Sequence, residues 1–442
     1  MPQDFKVIDP ISKRNNEIMD NLDFDLNNAD AYEQRSTELA LAGVCDTRRW
    51  KGDELAKAVG VKSKTSIYQA EKDGRLPADY KDIRNDRGYD LKMVNEVRRL
   101  FSTNPGRRDG DRCMVFSFTN FKGGCYKTLT TLQVAACAAT EGFRVLVVDL
   151  DAQGTLSFNL GHTPDVSVMD GDTLGPSLLE DCSPTRESVK NLALPTYIDG
   201  LDIIPANMGL QTTEINIQSK LVNLSYQDMD DDVIKSHQKD LFLRVHDILT
   251  LIKSEYDVIF IDGTPALGML PLNIAFASDR MIVPCPTESP DYMSTCTFWE
   301  VLRSRFEEMR DLSGDKHPLP EISVLPTRFG VHKNETVASQ IILHNAIYPT
   351  FTSKVMKNVV RKHDSAISQQ NLWRRTMFDV PFNALKVKKQ AQESCMENYQ
   401  SIWNEIREEF VYPYWPSTEY PLNADAQVRA HTTGEYNNEK TT

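Results

Sequence analysis

Phe121-Lys122-Gly123-Gly124-Cys125-Tyr126-Lys127-Thr128 is a glycine-containing loop with a lysine near each end. Upstream, Cys113-Met114-Val115-Phe116-Ser117-Phe118 is a short apolar, β-leaning run that predicts a strand feeding the loop. Downstream, Thr128 to Thr140 carries small and apolar residues at helical spacing, and Gly142 supplies a stop signal. A strand, a Gly-rich turn and a helix together aim backbone N–H groups and a positive helix terminus at phosphate oxygens. Gly123 and Gly124 let the backbone approach closely and allow positive φ at little steric cost. A phosphate loop of the form G-x-x-x-x-G-K-[ST] needs one lysine, just before the hydroxyl residue. Lys127 fills that post and Thr128 supplies the magnesium-binding hydroxyl. Lys122 is a further charge at a place where an ordinary phosphate loop needs none.

Two more segments point to the same site. Arg144-Val145-Leu146-Val147-Val148-Asp149-Leu150-Asp151-Ala152-Gln153-Gly154 is a strand ending in two carboxylates two residues apart. Both can face the crevice at the carboxyl end of a sheet, where α/β proteins bind ligands. Tyr256 to Pro265 (YDVIFIDGTP) brings Asp262 to that same edge behind four apolar residues, where it can hold a magnesium-bound water. Strands are expected at 113–118, 144–149, 201–204, 256–261, 280–283 and 322–325, alternating with helical patterns. That alternation predicts an α/β fold with a parallel sheet, and the near-continuous apolar strands predict cover on both faces.

The chain has 442 residues and a formal charge of −13, with the charge unevenly spread. Residues 1–42 hold four basic and nine acidic residues, and residues 161–240 hold five against fourteen. Residues 43–112 hold seventeen basic against twelve acidic, and residues 354–389 hold nine against two. Two basic blocks in an acidic protein suggest local nucleic-acid contact on an otherwise DNA-repelling surface. The eight cysteines form no Cys-x-x-Cys pair or Cys/His cluster, so reduced cytosolic thiols are expected rather than a disulfide or metal framework. Neither a signal-peptide core nor a membrane-length apolar run is present in the sequence, which reads as cytoplasmic.

The expected organisation is an N-terminal helix or dimerisation arm at 1–42, a basic DNA-binding unit at 43–104 and a Pro/Gly/charged linker at 105–112. An ATPase domain at 113–411 and a flexible tail at 412–442 follow. Within the basic unit, Asp53 is expected to cap a helix bearing Leu55, Ala56 and Val59, with Gly60 making a turn. Ser63 then caps a second helix to about Lys72, with Ile67 and Ala70 inward and Lys62, Lys64, Thr65, Ser66 and Gln69 outward. Recognition helices meet bases mainly through N-terminal residues, so those five are candidate DNA contacts. The segment resembles winged helix-turn-helix modules, with Gly74-Arg75-Leu76-Pro77 beginning the wing. In the second basic block, Lys354, Lys357, Arg361 and Lys362 recur near helical spacing, followed by Arg374 and Arg375, all candidate phosphate contacts. Arg328, after the strand at 322–325, can face nucleotide or DNA.

The KGGxxKT pattern of Lys122–Thr128, with Asp149-x-Asp151-x-Gln153 behind it, is closely similar to the deviant Walker A ATPases. With a helix-turn-helix ahead of it, the chain resembles type Ia ParA partition ATPases over roughly residues 40–410. The resemblance implies a P-loop NTPase domain that binds ATP or ADP and Mg²⁺ through Lys122, Gly123, Gly124, Cys125, Tyr126, Lys127, Thr128 and Leu129. It places Thr128, Asp149 and Asp262 around the metal, gives Asp151 the attacking water, and puts Gln153 in a nucleotide-sensing switch. Lys127 and Lys122 become catalytic, Lys122 by reaching across an ATP-sandwich dimer to the partner's phosphates, as an arginine finger does in trans. Implied partners are a second copy (as dimer or filament), nonspecific DNA on the nucleoid, operator DNA bound in autorepression, and a ParB-type centromere-binding protein. Two departures stand out: Asp262-Gly263-Thr264-Pro265 replaces the usual Asp-Thr-Pro-Pro, and Leu129 stands where relatives often have Ser or Thr. A dedicated repressor liganded by nucleotide is a second reading, disfavoured by intact Lys122, Lys127, Asp149 and Asp151. A MinD-like positioning ATPase is a third, but that class ends in a basic amphipathic helix and residues 412–442 are Pro-containing and polar.

Overall fold

The computed structural model describes residues 47–76, 88–179, 184–224, 230–265, 268–313, 318–382 and 387–417. The expected arm at 1–42, most of the wing, and Cys45 and Cys182 lie outside them. Seven strands form one sheet: β1 Met114–Phe118, β2 Val145–Leu150, β3 Leu194–Pro195, β4 Leu201–Ile204, β5 Val258–Gly263, β6 Arg280–Pro286 and β7 Glu321–Thr327. Their spatial order is β3-β4-β2-β5-β1-β6-β7, with every pairing parallel except β3 with β4. All six predicted strands are present. The seventh, β3, has only two residues, one of them a proline, and is too short to show any periodicity.

Strand residues alternate between two apolar layers, as a period of two requires. Phe116, Phe118, Val145, Val147, Val258 and Phe260 face one core, which the P-loop helix Lys127–Glu141 and the C-terminal helix Lys389–Ile406 cover. Val115, Leu146, Val148, Ile259 and Ile261 face the other, beneath helices Asp231–Thr250, Met269–Ala277 and Ser289–Ser313. This two-sided cover is why the strands read as apolar runs. The register then brings Phe118, Asp262 and Asp149 level across β1, β5 and β2. Both carboxylates therefore end up at the carboxyl edge, beside the loop that leaves β1.

Ahead of the sheet, helices Gly52–Val59, Lys64–Lys72 and Leu91–Phe101 enclose Trp50, Leu55, Val59, Ile67, Ala70, Val94 and Val97. Gly60 turns the chain at φ 79°, and the Ser63 side chain accepts from Thr65 N at 3.1 Å, as expected. Asp53 does not cap the first helix: the cap is Lys51, and Asp53 sits in the first turn, favourably placed against the helix dipole. This helical unit docks firmly on the sheet unit. Buried Arg98 donates to Ala58 O (2.8 Å), to Thr140 O (3.0 Å) at the end of the P-loop helix, and to Asn95 Oδ1 (2.6 Å). Asn95 in turn donates to Asp199 Oδ2 at 2.8 Å.

The expected linker is not loose. Arg107 N donates to buried Asp257 and its guanidinium donates to Lys253 O (3.0 Å), while Arg144 also pairs with Asp257 (2.6 Å). The expected flexible tail starts too early at 412. Trp415 is 2 % exposed, its indole donates to Arg112 O at 2.9 Å, and Ser417 N donates to Asp111 Oδ1 at 3.0 Å. Aromatic burial and the Asp111 carboxylate, which also accepts from Arg108 N at 2.8 Å, hold residues 412–417 against the start of the sheet unit, a proline-rich composition notwithstanding.

Candidate nucleotide site

The loop between β1 and the helix Lys127–Glu141 is built by its neighbours as much as by its glycines. Asn120 donates to Pro284 O (2.7 Å) and Thr295 Oγ1 (3.0 Å), and its own oxygen accepts from Lys122 N (3.1 Å). Thr327 Oγ1 donates to Cys125 O at 3.0 Å, tying β7 to the loop. Gly124 takes φ 72°, as expected, but the second left-handed residue is Tyr126, also at φ 72° and capping the helix, and not Gly123. A Cβ on Gly123 would meet nothing within 4 Å, so the loop is open on that side. Cys125 is fully buried, its thiol donating to Lys122 O at 3.1 Å. Leu129 packs against the core, which explains a leucine at that position.

Lys127 is buried and its ammonium donates across the loop to Lys122 O at 2.9 Å, placing the charge under the cradle. Asp149 and Asp262 are register partners, 1 % and 0 % exposed. Burial pushes the Asp149 carboxyl up to about 6, against hydrogen bonds from Ser157 and Asp151 N. Burial, then the nearby Asp149 charge, pushes Asp262 well above the usual carboxylate range, opposed by the Thr128 hydroxyl and Lys127. Thr131 Oγ1 lies 3.4 Å from Asp262 Oδ1, while Asp262 Oδ2 is a buried acceptor without a hydrogen-bond partner among the described residues. Two buried carboxylates side by side, one with an orphaned oxygen and a threonine hydroxyl beside it, have the hard oxygen donors that suit Mg²⁺. The residues present therefore fit the ion. Asp151 stands at the mouth, with Oδ1 accepting from Gln153 N at 3.1 Å, and Gln153 Nε2 is 3.8 Å from Met208 Sδ.

Lys122 points elsewhere in the single chain. Its ammonium rests on Asp291 Oδ1 at 3.0 Å. Arg328, left-handed at φ 55°, bridges Asp291 (3.4 Å) and Glu288 (3.2 Å), and Lys362 completes the cluster on Glu288 at 3.0 Å. Arg328 therefore belongs to the side of the fold that carries the loop. Neither Asp291 nor Glu288 was legible as a partner, because the cations reach them from three separate segments.

A family described as "AAA domain" matches residues 113–304. Protein SopA of Escherichia coli (strain K12) is 32 % identical over 378 residues, covering 84 % of this chain and 90 % of that protein. The chain belongs to the ParA family of partition ATPases. A putative replication protein A of Sinorhizobium fredii (strain NBRC 101917 / NGR234) is 28 % identical, over 83 % of this chain and 87 % of its own length. A solved structure described as a partition protein shares the fold at TM-score 0.57 and 17 % identity, covering 87 % of this chain and 98 % of that one.

The basic residues of this ParA-family chain divide sharply on inspection. On and just before the helix Lys64–Lys72, Lys62, Thr65, Ser66 and Gln69 are exposed; Lys64 lies 3.2 Å from Asp53, and Gln69 donates to Asp73 at 2.8 Å. Residues 355–361 are not helical but run beside β7, with bridges Val324–Val355 and Phe329–Arg361, so the apparent helical spacing has no helix behind it. Lys354, Lys357 and Arg361 are nevertheless exposed, Lys357 pairing with Glu409, while Lys362 is engaged by Glu288. Arg374 and Arg375 are not surface phosphate contacts. Arg374 donates to Phe158 O (2.9 Å) and stacks on the Phe158 ring; Arg375 pairs with Asp379 at 2.5 Å over Tyr197. Both are over 90 % buried. Arg375→Ala should therefore act on stability, lowering it by about 3–5 kcal/mol through the buried Asp379 left behind. A urea melt checks this; an unchanged midpoint with weakened DNA binding would contradict it. Among the described residues, no helix is long and apolar enough to cross a membrane.

Proposed function

We propose that this chain is a Mg²⁺-dependent ATPase that segregates a plasmid or secondary replicon by switching its DNA binding with bound nucleotide. The observation that carries this reading is a phosphate loop with two lysines, one buried under the cradle and one turned outward, beside a paired Asp149–Asp262 edge. ATP or ADP occupies the loop, with the Gly123 side open to phosphate and Lys127 beneath it. Thr128, Asp149 and Asp262 hold Mg²⁺, which neutralises charge on the phosphates during transfer. Asp151 orients the attacking water. Lys122 leaves Asp291 to complete the site of a second copy, so ATP promotes the dimer and hydrolysis relaxes it.

The dimer binds nonspecific DNA through exposed cations around Lys354, Lys357 and Arg361, and acts with a ParB-type partner on the nucleoid. The helical unit at 50–101 binds operator DNA through Lys62, Lys64, Thr65, Ser66 and Gln69 and represses its own operon. The test is duplex binding across a salt series with ATP, ADP or no nucleotide, on random DNA and on DNA from upstream of the gene. Random-DNA binding should be favoured by ATP and weaken steeply with salt, and upstream-DNA binding should be favoured by ADP. Nucleotide-blind binding to both would overturn the switch.

A further inference from the structure

We propose that Ser157 is the residue that positions Asp149 for Mg²⁺, and that without its hydroxyl the site loses metal affinity though it keeps its fold and its nucleotide. Ser157 is fully buried in the short helix Thr155–Asn159, eight residues beyond the carboxylate it serves. Its backbone N–H donates to Asp149 Oδ2 at 2.9 Å and its hydroxyl donates to the same oxygen at 2.7 Å. The direction of that second bond is fixed. Ala206 N, just beyond β4, lies 2.9 Å from Ser157 Oγ and can only donate, so the hydroxyl must accept there and send its one hydrogen to Asp149.

The helix needs this arrangement as much as the carboxylate does. Its N-cap is Gly154, in the left-handed region at φ 59°, which has no side chain to satisfy the first-turn N–H groups. Asp149 reaches over from β2 and takes that place. A capping contact alone, however, uses only the backbone N–H. The hydroxyl adds a charge-assisted bond, short and directed, to an oxygen that burial would otherwise discourage from carrying charge. It also saturates Oδ2. Among the described residues Oδ1 accepts only Asp151 N, at 3.1 Å, and is the oxygen left with capacity for the ion. Ser157 thus selects both the rotamer of Asp149 and the atom it presents.

Outer partners of this kind typically set metal affinity by 10–100-fold. The inference rests on the Mg²⁺–nucleotide reading of the site, and the experiment separates the two. A fluorescent ADP analogue is titrated with the full-length protein, first without Mg²⁺ and then at rising Mg²⁺, following the Mg²⁺ midpoint for tightening. Ser157→Ala should raise that midpoint about 10–100-fold with metal-free affinity unchanged. Ser157→Thr, which keeps the hydroxyl, should restore the wild-type midpoint. Ser157→Cys, near in volume but a poor donor, should behave as the alanine variant and carries the test if alanine fails to fold. A wild-type protein indifferent to Mg²⁺ would overturn the reading of the site. A Mg²⁺-responsive wild type whose alanine and cysteine variants keep its midpoint would overturn the role of Ser157, as would a threonine variant shifted as far as alanine.

Discussion

Lys122→Ala should bind ATP nearly as well as the natural protein and yet turn it over about 10³–10⁵-fold more slowly, the range a cation supplied in trans contributes to phosphoryl transfer. The variant should also fail to dimerise with ATP. The single chain explains why it should remain folded. Lys122 is 39 % exposed, and the buried Asp291 keeps Arg328 at 3.4 Å when the lysine is gone, so the carboxylate is not left without a cation. Lys127→Ala is the contrasting control, since that ammonium lies under the cradle and binding itself should suffer. Nucleotide titration, light scattering and steady-state hydrolysis read the three properties separately. Intact hydrolysis and intact ATP-linked dimerisation in Lys122→Ala would remove the two-copy site.

Asp262→Asn should give the opposite combination, a protein more stable without ligand and almost inactive with it. Asp262 faces Asp149 across paired strands, is fully buried, and leaves one oxygen unpaired. An amide removes the charge and can donate to Asp149, so metal-free stability near pH 8 should rise by about 1–3 kcal/mol, the cost of an unsatisfied buried group. The pH dependence follows from the direction of the shifts. Asp149 rises from 3.8 to about 6 and burial pushes Asp262 well above the usual carboxylate range, so the folded state holds protons that the unfolded chain has released. Metal-free stability should therefore be highest below about pH 4 on this account, and fall as pH climbs through 6 and beyond. The asparagine variant should show a shallower fall, and its advantage should vanish in acid. Thermal melts in chelator from pH 4 to 8 check the point; parallel curves for both proteins would refute it.

The strands, the P-loop helix and the carboxyl-edge aspartates were legible because parallel strands buried on both faces leave continuous apolar runs, and two of those runs, β2 and β5, carry an aspartate at their carboxyl ends. Ser63 was legible as a cap because capping is local. What failed had a tertiary cause. Arg374 and Arg375 looked like surface charge because a basic count carries no burial, although Asp379 four residues on was a hint of a private partner. Positive φ was expected at Gly123 and Gly124, but Tyr126 shares it with Gly124, and its hydroxyl lies 3.4 Å from Asp364, far along the chain. Asp291 and Ser157 had no local signature, since their meaning comes from strands brought together by the fold.

Arg98 bears on how this protein can be taken apart. Helix Leu91–Phe101 gives Val94 and Val97 to the core of the N-terminal helices, and gives Asn95 and Arg98 to Asp199 and Thr140 of the sheet unit. Gly142 is part of the same joint, because a Cβ there would lie 2.9 Å from the Arg98 guanidinium. The border between the two units thus runs along a helix and not through a connecting segment. A cut at 102–112 would strip a buried guanidinium of one of its carbonyl partners and bare the end of the P-loop helix. Separating the two halves at that seam would therefore break buried contacts on both sides of it.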